Sequence, residues 1–103
     1  MLDKVIKINA GLDKKFPNGK DPFQIITRLV EECGELASEV NHFENTGVKK
    51  DKHGEPDKKK LAKEIQDVLR SALQICAYYK ADKELEESIN NSLEKLKRDG
   101  FIE

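Results

Sequence analysis

Acidic side chains recur at helical spacing in two places along this chain. The stretch VEECGELASEV, residues 30–40, carries Glu31, Glu32, Glu35 and Glu39 among Val, Leu, Ala and Cys. Further on, EIQDVL carries Glu64 and Asp67. Like charges one turn apart on a helix cost a few tenths of a kcal/mol per pair, so water must screen them or a cation must sit among them. Hard divalent cations such as Mg²⁺ take oxygen ligands and keep open positions for water and phosphate. Residues at i and i+3 share a helix face, and two facing helices can close two such pairs around one ion. A single acidic pair is usually just a solvated face. Two matched pairs on consecutive long helices favour a cation. A di-iron centre is disfavoured, because neither Glu32–Glu35 nor Glu64–Asp67 contains the Glu-x-x-His element, and His42 and His53 stand elsewhere.

The elements that must position these acids are helices. The first is expected over about 2–15, stopped by FPNGKDP with its Pro17 and Asn18-Gly19 turn signals. Asp21-Pro22 opens the second, since Asp caps free amides and Pro fits the first helical position; it should run to about Glu44. The segment NTGVKKDKHGEPD, 45–57, lacks periodicity and reads as a loop. Asp57 is a cap for a third helix reaching about Lys80, and Asp82 for a fourth ending before Gly100. No strand signal appears.

The second helix carries an apolar stripe of Phe23, Ile26, Val30, Cys33, Ala37 and Val40, widened by Leu29, Leu36 and Phe43. The third carries Leu61, Ile65, Val68, Leu69, Ala72, Cys76 and Tyr79. Stripes this wide suit an all-α, four-helix bundle-like protomer that oligomerises through its helices. At about 100° per residue, Glu32 and Glu35 fall about 100° and 160° to one side of Cys33, and Glu64 and Asp67 fall at the same angles from Ile65. The acids should therefore line the border of the packed face, with Glu31 on the far polar side. Gly34, costing about 1 kcal/mol relative to Ala in mid-helix, implies close packing or room for a metal or substrate.

Composition bounds the rest. The chain has 103 residues, which suits a single domain over 1–103. Charged residues make up 38% and hydrophobic ones 37%, so the core must be economically placed. Nineteen Lys and Arg against twenty Asp and Glu leave a net charge of −1, which gives no bulk attraction to a nucleic-acid polymer or an anionic membrane. No run is long enough for a membrane span and the N-terminus is unlike a signal peptide, so a cytoplasmic protein is expected. Cys33 and Cys76 lack metal-motif spacing and read as reduced core thiols.

Glu31-Glu32-Cys33-Gly34-Glu35-Leu36 followed by Glu64-Ile65-Gln66-Asp67-Val68-Leu69 resembles the E-E-x-x-E and E-x-x-D signature of MazG-like nucleotide pyrophosphohydrolases, of the all-α NTP pyrophosphatase superfamily. The likeness extends from FPNGKDPFQ to NSLEKLKRDGF. It implies Mg²⁺-dependent hydrolysis of a nucleoside triphosphate to the monophosphate and pyrophosphate, with Mn²⁺ as a substitute, by a homodimer or homotetramer. It also implies Glu31, Glu32, Glu35, Glu64 and Asp67 as catalytic residues. Among them Glu32, Glu35, Glu64 and Asp67 would be the metal ligands, and Glu31, by its angle, a support. Asn91, Lys95 and Arg98 resemble the family's C-terminal phosphate-binding elements, against the plainer reading of a solvated basic helix end. Lys49, Lys50 and Lys52 read as solvated. Phe16, His42, Phe43, Tyr78 and Tyr79 are the candidates for stacking on a base, although core or surface explains most of them. Two other readings stand beside the hydrolase: a helical module that binds Mg²⁺-nucleotide without turnover, and a structural helix-bundle interaction protein.

Overall fold

The computed structural model describes residues 1–44 and 54–103, and the expected lysine-bearing loop over 45–53 lies outside them. Among the described residues there are four helices and no strand: α1 Leu2–Lys15, α2 Pro22–Phe43, α3 Lys58–Tyr78 and α4 Asp82–Arg98. The all-α, bundle-like expectation holds.

Local chemistry explains the boundaries. α1 stops at Phe16, whose extended backbone suits the residue before a proline. The Asp21 carboxylate accepts from Gln24 N at 2.9 Å and Pro22 takes the first position of α2. Asp57 accepts from Lys59 N at 2.8 Å to open α3. The fourth cap differs from expectation: Ala81 is the N-cap of α4, and Asp82 lies inside the first turn, where it meets the positive end of the helix dipole. Both α3 and α4 end in Schellman turns. Gly100 at φ 82 ends α4, and Lys80 at φ 52 takes the same left-handed position after α3, with Ala81 N bonded to Cys76 O.

α3 is the centre of the arrangement. It packs along α2, crosses α1, and meets α4 only near their shared turn; α1 and α2 do not pack on each other. Asn9 Nδ2 donates to the Arg70 carbonyl at 3.0 Å, tying α1 to α3. The radius of gyration, 16.9 Å, exceeds the ~13 Å expected of a compact domain of this length. One cause is α4, which projects with Leu85, Ile89, Leu93 and Leu96 all exposed.

The faces of the helices correct a central expectation. The α2 stripe was to face its neighbouring helix, yet Phe23 is 80% exposed and Val30 67%. Cys33 and Ala37 on the same stripe are exposed too, so Cys33 is a free thiol at the surface rather than in the core; Cys76 is half-buried. Ile65 on α3 and Tyr79, which caps its end, are likewise exposed. Among the described residues the buried apolar ones are Val5 and Ile25, whereas Asn9, Glu39, His42, Ser71 and Gln74 are buried and polar. The two helices meet along the polar line beside the stripes.

Candidate acidic site between α2 and α3

The polar line on α3 runs through Glu64, Asp67, Ser71 and Gln74, in steps of three, four and three that keep it on one face. α2 answers with Glu32, Glu39 and His42. Glu32 is held by two adjacent residues of α3: Arg70 Nη2 donates to Oε2 at 3.4 Å, and the fully buried Ser71 donates its hydroxyl proton to Oε1. Asp67 accepts from Lys63 Nζ at 2.5 Å, one turn back on its own helix.

Glu64 stands differently. Its carboxyl is held above the ordinary range, first by burial, then by a hydrogen bond with Glu35 and by the negative charges of Glu35, Asp67 and Glu39. Its Oε2 is buried with no hydrogen-bond partner. Burial and three neighbouring acids thus favour the protonated form of the fourth.

Beyond Glu64 lies an element that the sequence reading passed over. Glu39 and His42, spaced i and i+3, are both buried, with His42 Nδ1 4.0 Å from Glu39 Oε2. His42 Nε2 donates to the Gly54 carbonyl at 2.6 Å, which anchors the end of α2 to the chain entering α3. The i, i+3 spacing was the available signal, but it stood outside the two acid pairs. Arg70 and Ser71 were also missed, although they follow Asp67 by three and four residues and so had to share its face.

The remaining candidates lie apart. Glu31 is exposed. Asn91, Lys95 and Arg98 sit on the exposed helix α4, which packs on α3 near their shared turn and not on α2, so the protomer does not bring them to the acids. A Cβ built on Gly34 meets nothing within 4 Å, which removes close packing within the protomer as its reason. Of the base-stacking candidates, His42 is buried and Phe43 half-buried, while Phe16, Tyr78 and Tyr79 are exposed.

The donor set suits a hard cation: carboxylate oxygens, one of them orphaned, in a partly dry interface. Among the described residues no three acidic, His or Cys side chains already converge closely enough to hold one. Lys63 and Arg70 occupy Asp67 and Glu32 instead, supplying the opposite charge from within the chain.

An all-helical fold with two acidic elements facing each other across a helix pair defines a class, and the comparisons agree with it. The model of the MazG nucleotide pyrophosphohydrolase domain matches residues 20–99, and the chain belongs to that family. It is also similar to the uncharacterized protein YpjD of Bacillus subtilis (strain 168), 38% identical over 101 residues, covering 93% of this chain and 86% of the relative. No solved structure matches the chain. Among the described residues no helix is long and apolar enough to cross a membrane.

Proposed function

We propose that this chain, as a single domain, hydrolyses a nucleoside triphosphate, NTP or dNTP, to the monophosphate and pyrophosphate, with Mg²⁺ held by Glu32, Glu35, Glu64 and Asp67. One observation carries the reading: burial and the acids around it hold the Glu64 carboxyl above the ordinary carboxylate range, and one of its oxygens is buried without a hydrogen-bond partner. Leaving a buried polar atom unpaired costs about 1–3 kcal/mol, and a bundle has no structural use for an unpaired Glu64 Oε2 among like charges. A divalent cation removes both the repulsion and the orphan. Mg²⁺ bound there, or Mn²⁺ in its place, would neutralise phosphate oxygens and acidify a bound water.

The chain's own groups divide the remaining work. Arg70 and Lys63 pair with Glu32 and Asp67, and with a cation on those carboxylates both basic groups would be available to phosphate oxygens. Glu31, on the exposed side, supports the cluster electrostatically and does not coordinate. Ser71 fixes Glu32 Oε1 in either state.

The functional unit is a homodimer or homotetramer on this reading. Among the described residues Val5 and Ile25 are the buried apolar side chains, a small core for an isolated protomer, and the outward stripe of α2 and the apolar side of α4 are what a second copy would cover. Asn91, Lys95 and Arg98 would then reach phosphate from a partner's α4. Incubation with a panel of NTPs and dNTPs in Mg²⁺, assayed for pyrophosphate and monophosphate, tests the proposal. Binding without turnover would leave a Mg²⁺-nucleotide module, and no binding of cation or nucleotide would leave a structural bundle.

A further inference from the structure

Further along the polar line of α3, away from the acids, stands a second unpartnered group. Gln74 is 5% exposed, and neither its Nε2 nor its Oε1 has a hydrogen-bond partner. It lies seven residues past Asp67 on the same face, about 10 Å along the helix axis. Gln74 lines a cavity of about 170 Å³, together with Ile25, Ala77 and Tyr78 and with Asp13 and Lys20, which form an ion pair at 3.3 Å. Asn9, whose amide nitrogen is bonded to Arg70 O one turn before Gln74, also keeps its Oδ1 buried and unpartnered.

We propose that this cavity receives the base of the nucleotide whose phosphates the acidic cluster holds, and that the Gln74 amide reads the base edge. The inference rests on the hydrolase reading above. A primary amide presents a donor and an acceptor side by side, the complement of a base edge that shows one of each. Ile25 and Ala77 offer apolar wall and Tyr78 an aromatic side chain, the usual lining around a few orienting polar groups. Pockets for whole ligands run to about 300 Å³ and more, so this one suits a part of a ligand, such as one heterocycle. For packing alone, Leu would fill the same buried helical position without stranding two polar atoms. The shared face places phosphate and base sites along one helix.

The test measures binding of Mg²⁺ complexes of the four common dNTPs, the four NTPs and inorganic tripolyphosphate to the full chain, by calorimetry. The variants are Gln74→Leu and the unbranched Gln74→Met, the latter covering a failure of the former to fold. We expect the wild type to rank the nucleotides by base. Either variant should weaken the tightest by tenfold or more and compress the ranking, with tripolyphosphate affinity unchanged within twofold. An unchanged ranking overturns the base site while the hydrolase reading stands. A parallel loss of tripolyphosphate also overturns it, because the residue then serves the scaffold. If the wild type binds neither tripolyphosphate nor any nucleotide, the proposed function falls first.

Discussion

On α2, the side turned toward α3 carries Glu32, Glu39 and His42, while the side turned to solvent carries Phe23, Ile26, Val30 and Val40. A helix in a self-sufficient bundle shows the reverse. On the proposed reading each face serves something beyond the protomer. The inner face would offer its negative charge to a cation, and the outer face its apolar surface to a second copy. The two also differ in what they cost while waiting. The inner face has provisional partners in Arg70, Ser71 and Lys63. The outer one leaves Val30 and Phe23 in water.

The comparison breaks first at the acids. Glu35→Gln or Asp67→Asn should lower hydrolysis at least a hundredfold while far-UV circular dichroism stays helical, and Glu31→Gln should be milder than Glu32→Gln because only Glu32 faces α3. Full activity in the Glu35 or Asp67 variant would end the metal assignment. On the outer face, Val30→Asp should weaken self-association at least tenfold, read by light scattering at micromolar concentration, without loss of helix. If the variant associates as the wild type does, α2 is not the interface.

A smaller effect separates charge from packing. Because Glu64 is held above the ordinary carboxyl value of 4.5, the folded chain keeps a proton that the unfolded chain releases. Stability without metal should therefore fall as pH climbs from about that value to the raised one, and level off above it. Glu64→Gln should remove this fall and raise Tm by a few degrees at neutral pH, with the advantage vanishing near pH 4. Added Mg²⁺ should stabilise the wild type and not the variant; equal pH profiles for the two proteins would refute the account. Smallest is Gly34→Ala, which should stabilise the fold by about 1 kcal/mol, since nothing in the protomer meets the new methyl. If denaturant unfolding shows no gain, the helix is already distorted there.

Much of this was legible in the chain. Asp21 and Asp57 cap as their neighbours required, and Glu32 is half-buried against α3 while Glu31 is exposed. What the pattern could not state was what the stripes face. An apolar stripe records burial against something, and periodicity is the same whether that something is a neighbouring helix or a second copy. For the same reason Cys33 read as a core thiol, and close helix packing stood beside room for a metal or substrate as a reading of Gly34. Arg70 and Gln74 were hidden for another reason: their roles depend on side chains of α2 and α1, which no local spacing on α3 reveals.

The tie between Asn9 and the Arg70 carbonyl spans 61 residues and has a consequence for the order of assembly. α1 finds no partner in α2, the helix that follows it, and docks only on α3. During synthesis it must therefore stay undocked until most of residues 58–78 have left the ribosome. Contacts of such long sequence separation close slowly, and an amphipathic segment left open meanwhile is exposed to chaperones and to aggregation. The pairing of α2 with α3 should nucleate the fold, with α1 arriving last.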